Sequence, residues 1–150
     1  MPPDPERSQA ELKASILEVA KRRKRVTLFK LGKLWVFKYF FDDKEIFKAL
    51  ADSYNRNKFR FEFKSFGVRN DALKVLEKAG FEYELVEDLR PFAVKLSRYS
   101  KYASLLKNSI SYLETPDWRI FLMKDLAAVD EALRMGAEMY QGNYEMLVFS

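Results

Sequence analysis

Consecutive cationic side chains are the residues of this sequence whose chemistry is easiest to state. They are Lys21, Arg22, Arg23, Lys24 and Arg25, and two more, Lys30 and Lys33, follow before any acidic residue. Lysine and arginine bind phosphate oxygens, and each phosphate contact makes binding more dependent on salt. The alternative is a helix that ends in cations, because the helix dipole stabilises them by roughly 0.3–1 kcal/mol without a partner. Five consecutive basic residues point to all sides of a helix, so we favour contact with a polyanion.

The basic residues are concentrated at one end of the chain. Residues 1–33 contain nine Lys or Arg and four Asp or Glu, so this segment carries the whole net charge of +5. The other residues carry eighteen of each sign. The sequence therefore describes a neutral body with a basic N-terminal segment, and a nucleic acid would meet that segment first.

Arg98 and Lys101 are the second group of candidate phosphate contacts. They lie where a strand is expected to give way to a helix that begins near Ser100, and a helix N-terminus offers free N–H groups to a phosphate. The surrounding stretch has no acid and contains further cations and tyrosines: Arg90, Lys95, Lys107, Tyr99, Tyr102 and Tyr112. Tyrosines can stack on bases. The alternative, which we favour, is an amphipathic helix surface with Ser100 as its N-cap.

The segment Lys58 to Lys64 alternates aromatic and charged residues. In a strand, Phe59, Phe61 and Phe63 share one face, and the charged residues share the other. Aromatic faces of this kind stack bases in RNA-recognition motifs. The characteristic glycine of that motif is missing, and aromatic faces are more often part of a core, so we favour the core interpretation.

Two groups of carboxylates point to metal-dependent chemistry. Asp42 and Asp43 end one predicted strand, and Glu62 shares a face of the next strand with Lys64. Carboxylates can hold Mg²⁺, and a neighbouring ammonium can polarise water or a phosphate. The Glu62-Phe63-Lys64 element resembles the acidic-x-Lys element of the PD-(D/E)xK nucleases. This resemblance implies a metal-dependent nuclease, which is a further candidate function.

Composition excludes several other kinds of catalysis. The chain has no Cys and no His, which removes thiolate nucleophiles, Ser-His-Asp chemistry and ordinary zinc sites. Its five glycines are scattered, so neither a Walker loop nor a dinucleotide fingerprint is present. We therefore expect a protein that is not an enzyme and that has no cofactor.

Periodicity predicts alternating strands and helices. Ser8 begins a helix that continues to about Lys24, and Gly32-Lys33 joins two strands as a hairpin. The remaining strands are expected at Leu34–Phe41, Lys58–Phe66, Phe81–Glu87, Phe92–Ser97, Trp118–Lys124 and Tyr144–Phe149. Helices are expected at Asp43–Tyr54, Arg69–Ala79, Ser100–Glu114 and Leu126–Tyr140. Gly80 is predicted to end the second of these helices.

These elements predict a mixed α+β fold with an internal repeat. Residues 1–150 form a single domain: the basic N-terminal helix and the start of the hairpin occupy 1–33, and β-α-β-α-β halves occupy 34–88 and 89–150. The middle, Lys58 to Lys124, also has the ferredoxin-like order β-α-β-β-α-β. The alternative to a duplication is that any two such runs share apolar periodicity. Leu34–Phe37 and Ile120–Met123 are apolar on both faces, so either the halves pack together or a homodimer covers the sheet.

The sequence as a whole favours a cytoplasmic nucleic-acid-binding protein without enzymatic activity. We expect electrostatic, weakly sequence-selective contact with phosphates of DNA or RNA through Lys21–Arg25, supported by Lys30, Lys33, Arg98 and Lys101. A homodimeric interaction module is the second class. No apolar run is long enough to span a membrane, so no membrane partner is expected. Abundant Lys and Glu with almost no Gln is a composition that leans towards a thermophile.

Overall fold

The computed structural model describes residues 24–149. The helix predicted from Ser8 therefore lies outside the described residues, except for Lys24, and so do Lys21, Arg22 and Arg23. Within residues 24–149 the chain forms a mixed α+β fold with two sheets and five helices. None of the helices in this part of the chain has the length and hydropathy needed to cross a membrane.

Nine strands and five helices follow one another in residues 24–149. The strands are β1 Arg25–Leu31, β2 Leu34–Phe37, β3 Tyr54–Asn55, β4 Arg60–Phe63, β5 Glu82–Val86, β6 Ala93–Ser97, β7 Ser109–Glu114, β8 Trp118–Met123 and β9 Glu138–Met139. The α-helices are α1 Lys44–Leu50, α2 Phe66–Lys78, α3 Ala103–Lys107, α4 Leu126–Arg134 and α5 Glu145–Val148. Two short 3₁₀ turns, Ala51–Ser53 and Arg90–Phe92, connect some of these elements.

The predicted hairpin is present. β1 and β2 pair in antiparallel fashion with Leu31 opposite Leu34, which leaves Gly32 and Lys33 as the two-residue turn. Gly32 has a φ of +62°, a conformation that glycine adopts without steric cost. The hairpin places β1, which continues directly from the basic run, inside the first sheet.

The two sheets share a strand order. The first sheet has the order β3-β4-β2-β1-β5, and the second has the order β7-β8-β6-β9. When β1 is set aside, each strand of one sheet has a counterpart in the other, and each half has the chain order β-α-β-β-α-β. This shared order is what a repeat predicts, although the duplication itself stays a prediction.

The helices α2 and α4 occupy equivalent positions and begin and end alike. Ser65 accepts a hydrogen bond from Val68 N at 3.2 Å, and Asp125 accepts one from Ala128 N at 2.7 Å, so each side chain caps its helix. At the other end Gly80 and Gly136 have φ values of +85° and +99°. The prediction that Gly80 ends its helix is confirmed, because a residue with left-handed φ at this position stops helix propagation.

The ferredoxin-like unit predicted for Lys58 to Lys124 does not form. β4 and β5 belong to the first sheet, whereas β6 and β8 belong to the second. The predicted β-α-β-α-β order of each half is also incomplete, since β3 and β7 were not foreseen. The physical reason is pairing: β6 lies next to β8 and β9 of its own half, and β5 pairs with β1.

Two predicted elements have the wrong type. The helix expected at Ser100–Glu114 is only Ala103–Lys107, because the Asn108 side chain bonds back to Ser104 O and Ser109 Oγ donates to Leu106 O. Such local bonds compete with helix continuation, and the chain goes on as β7. The strand expected at Tyr144–Phe149 is instead the helix α5, whose first turn is held by Asn143 Oδ1 at 3.1 Å from Glu145 N.

Two core clusters explain why the strands are apolar on both faces. The first core cluster joins β1, β2 and β4 to α1 and α2, and includes Phe37, Phe61 and Leu76. The second core cluster joins Phe29 and Val36 of the first sheet to side chains of β6, β8, α4 and α5. The halves therefore pack together within one chain, which is the first of the two arrangements that the sequence allowed.

Candidate functional site

An open cleft of about 720 Å³ lies between the two halves. Its first-half wall contains Arg25, Thr27, Tyr39, Phe40 and Glu84. Its second-half wall contains Asn108, Lys124–Ala128, Asp130, Glu131 and Arg134. The volume falls within the range of about 300–1,000 Å³ that is usual for small-molecule sites, so the cleft is the main candidate site in the described part of the chain.

Three separate segments position Phe40 and the two lysines beside it, and of these side chains Phe40 and Lys124 line the cleft. The chain leaving β2 supplies Phe40, the end of α3 supplies Lys107, and the turn between β8 and α4 supplies Lys124. The backbone N–H of Lys124 donates to the Asn108 carbonyl at 2.9 Å, which holds the second and third segments together. The site is thus built from both halves.

Phe40 is exposed although both its neighbours are packed. Tyr39 and Phe41 pack against the first core cluster, so the extended chain directs Phe40 the other way, and 51% of it remains accessible. Lys124 Nζ lies 4.9 Å from the centre of the Phe40 ring, and Lys107 Nζ lies 5.6 Å from it. Both distances are within the range of a cation–π interaction.

The charges around the cleft are not evenly compensated. Arg25 pairs with Glu84, Arg134 pairs with Asp130 at 3.0 Å, and Asp125 caps α4. Glu131 is a further carboxylate on the α4 wall. Within residues 24–149, Glu131, Lys107 and Lys124 are in no ion pair, and the cleft lining as a whole has four acidic and three basic side chains. The positive charge beside Phe40 is therefore available to an anion.

Lys38 shows that the region behind Phe40 is positive. This lysine is buried and donates from Nζ to the Ser109 carbonyl at 3.1 Å. Burial, followed by repulsion from Lys124 and Arg60, lowers the pKa of Lys38 to about 8. Burial is thus the main cause of the lowered pKa, and the neighbouring cations add to it.

The predicted phosphate contacts within the described residues do not form one patch. Lys24 lies over the Phe81 ring at 5.5 Å, and Arg25 lines the cleft. Lys30 and Lys33 lie at the other end of β1. Lys30 is five positions beyond Arg25 along the strand, which places the two residues about 16 Å apart. Lys30 pairs with Glu87 at 3.5 Å, whereas Lys33 is exposed in the hairpin turn.

The second predicted group divides in a similar way. Arg98 is 3.8 Å from Glu114, and Lys101 is exposed just before α3. Ser100 is not an N-cap, because α3 starts after Tyr102 and has no side-chain cap. Tyr102 is stacked between Arg119 and Tyr112, so neither it nor Tyr112 is free to stack on a base.

The aromatic strand belongs to the core, as favoured from its sequence. Phe61 and Phe63 are buried in the first core cluster, so they are not an open stacking surface. The predicted alternation fails at the beginning of the strand and holds at its end, where Phe63 is buried and Lys64 is exposed. Phe59 precedes β4, has a φ of +55° and is exposed, and Arg60 on the opposite face is buried.

The carboxylates of the nuclease hypothesis are used in other ways. Asp43 Oδ1 accepts the Glu45 N–H at 2.8 Å as the N-cap of α1. Glu62 is bound by Arg60 Nε at 2.9 Å and Asn55 Nδ2 at 3.1 Å. Phe37 pairs with Phe61, so the chain beyond β2 runs away from Lys64. Across residues 24–149, no three acidic side chains are grouped so that they could hold a metal ion.

Phe40 and Lys124 were missed by sequence reasoning, and Lys107 was noticed only as part of a longer basic stretch. No motif joins them, because they come from three distant segments. One weak signal was present: in Tyr39-Phe40-Phe41 the middle residue of an extended run must face away from its neighbours. The cations that meet it could not be known without the packing of the halves.

Comparison of this chain with protein-family models, with curated protein sequences and with solved structures gives no significant match.

Proposed function

We propose that this protein binds nucleic acid, mainly through electrostatic contact with phosphates, and that it does so without catalysing a reaction. The observation that carries the proposal is that Lys107 and Lys124 lie beside the exposed ring of Phe40 and have no ion pair with a carboxylate among residues 24–149. Phosphate is the anion that such a pair attracts on the surface of a nucleic acid.

The basic run leads to this same site. Arg25 lines the cleft, and it is continuous in sequence with Lys21, Arg22, Arg23 and Lys24. A strand of nucleic acid that contacts Lys124 would therefore pass close to Arg25. Lys33 and Lys101 are exposed and add contacts further along the surface, whereas Lys30 and Arg98 would have to exchange a carboxylate partner for a phosphate.

Binding of this kind is mainly non-specific. Phosphate contacts fix the position of a nucleic acid and carry no sequence information, so we expect weak sequence preference.

The homodimer alternative was based on strands that are apolar on both faces. The packing of the two halves accounts for that pattern within one chain.

Fluorescence anisotropy with labelled DNA and RNA across a salt series tests the proposal. We expect sub-micromolar binding at low salt that weakens steeply between about 50 and 200 mM salt. Replacing Lys21–Arg25 by Gln, or both Lys107 and Lys124 by Gln, should weaken binding and make the salt dependence shallower. Each lost phosphate contact lowers the slope by roughly 0.7–0.9.

The matched control is Lys74→Gln with Lys78→Gln, which removes the same charge from exposed positions of α2 that do not line the cleft. This control should bind nearly as well as wild type. Absence of binding at low salt, or an equal loss in the control, would contradict the proposal.

A further inference from the structure

We infer that the ligand of the cleft is a single-stranded nucleic acid, one base of which stacks on Phe40 while its phosphates contact Lys107 and Lys124. This inference rests on the proposed function and names the substrate class of the same site. Every base has a π-face, so stacking of this kind accepts any sequence.

Phe40 and its two lysines bring an exposed aromatic ring and two cations together. Phe40 is 51% exposed, and the two ammonium groups lie over its ring at 4.9 and 5.6 Å from the centre, so a stacking base takes the part of the ring that the lysines leave uncovered. A nucleotide joins its base to phosphate through one sugar, so a base on the ring brings its phosphates to the lysines. Proteins that bind single strands combine an aromatic platform with cations in this way.

The shape of the site favours a single strand over a duplex. Phe40 lies at the mouth of a concave cleft that both halves enclose, and not on a flat surface. A base in a duplex must be unpaired and unstacked before it can enter such a space, whereas an unpaired strand can present a base directly.

The exposed ring of Phe66 lacks this combination. Phe66 is 63% exposed and also has a cation near it, but that cation, Arg69, lies between the Phe66 and Trp35 rings at 4.9 and 4.8 Å. Phe66 is not part of the cleft lining. It is therefore a matched control: an exposed phenylalanine with a cation, outside the cleft.

The test compares Phe40→Leu with wild type on probes that share charge but differ in bases. The probes are labelled single-stranded DNA and RNA of about 12 nucleotides, the corresponding duplexes, and inorganic polyphosphate, which has no bases. We expect Phe40→Leu to weaken single-strand binding by roughly 5- to 100-fold. Binding of polyphosphate should stay unchanged, and Phe40→Tyr should restore single-strand binding.

The variant Phe66→Leu should bind all probes as wild type does. Lys107→Gln with Lys124→Gln should weaken nucleic acid and polyphosphate alike, because it removes charge and leaves the ring. The two single-stranded probes distinguish DNA from RNA as the source of the base.

Two outcomes would overturn the inference and leave the proposed function intact. One is equal binding of single strands and duplexes by wild type with a steep salt dependence. The other is a Phe40→Leu variant that binds single strands as wild type does, or that loses polyphosphate to the same extent. Absence of binding to every probe would overturn both proposals together.

Discussion

Lys38 is a cation held among other cations in a buried position. It is only 8% exposed, and burial with repulsion from Lys124 and Arg60 lowers its pKa to about 8. In the unfolded chain a lysine has a pKa of about 10.4. Between about pH 8 and 10.4 the unfolded chain therefore binds more protons than the folded protein, and the free energy of unfolding rises with pH. The contribution of Lys38 to stability is therefore complete above its pKa in the unfolded chain, about 10.4, and it is lost as the pH falls through its pKa in the folded protein, about 8.

The Lys38→Met variant tests this linkage. We expect the free energy of unfolding of wild type, relative to that of the variant, to rise by up to about 3 kcal/mol between about pH 7 and pH 10.5. Urea denaturation at a series of pH values measures it, and other titrating groups cancel because both proteins contain them. A difference that is flat or that falls with pH would show that Lys38 is not held with a lowered pKa.

Residues of this kind are hard to predict from sequence. Lys38 follows a strand and looks like any solvated lysine at a strand end. Its burial depends on β7, which lies about seventy residues further along the chain, as the Lys38–Ser109 hydrogen bond shows. The same holds for Phe40, whose two lysines come from other elements.

At the scale of elements, the ends of α2 are defined by local chemistry. Ser65 caps its beginning, and Gly80 ends it with a φ of +85° and no atom within 4 Å of where a Cβ would stand. A side chain at Gly80 would therefore meet no steric obstacle from neighbours, and its whole cost would come from the left-handed backbone. Gly67, inside the first turn of the same helix, does not have a left-handed φ.

Two glycine substitutions should consequently have opposite effects. We expect Gly80→Ala to lower the free energy of unfolding by about 1–2 kcal/mol. Gly67→Ala should raise it by up to about 1 kcal/mol, because alanine favours a helix. Thermal denaturation followed by circular dichroism measures both, and Gly80→Asn should recover part of the loss. A neutral Gly80→Ala would mean that the helix end does not require a left-handed residue.

Elements were predictable where the signal was local. The Gly32-Lys33 turn and the end of α2 depend on a few adjacent residues, and both predictions are confirmed. The segment Ser100–Glu114 has apolar residues at helical spacing, but its second part pairs with β8. Periodicity cannot show this, because the strand forms only when its partner is alongside.

At the scale of the whole molecule, two buried cations from the first half donate hydrogen bonds to carbonyl groups on the edge strand of the second sheet. β7 is an outer strand, and its carbonyl groups at Ser109 and Ile110 accept from Lys38 Nζ and Arg60 Nη1 at 3.1 and 2.8 Å. Arg60 is 2% exposed and also pairs with Glu62 at 2.9 Å. The joint between the halves is thus a network of charged hydrogen bonds beside the second core cluster.

Removing Arg60 alone should strongly destabilise the folded protein. Arg60→Met leaves Glu62 without its cation and Ile110 without its donor, and we expect a loss of about 3 kcal/mol or more in the free energy of unfolding. The double variant Arg60→Met with Glu62→Met should be more stable than the single one, since no unpaired buried charge remains. Urea denaturation measures the free energy of unfolding of both variants. A double variant that is no more stable than the single one would show that the unpaired charge of Glu62 is not the cause of the destabilisation.

The sequence by itself determined the features that depend on neighbouring residues. These are the concentration of charge before Leu34, the hairpin turn, the end of α2 and the mixed α+β character of the chain. Each follows from composition, from backbone preference at one residue or from short periodicity, and none needs a distant contact.

Only the tertiary structure decided how the halves meet and what lies between them. It divided the middle of the chain between two sheets, converted half of a predicted helix into β7, and brought Lys107 and Lys124 beside Phe40, which lines the cleft. The reason is physical: strand pairing and sheet packing are contacts between residues far apart in the chain, and their free energy appears only when both partners are in place.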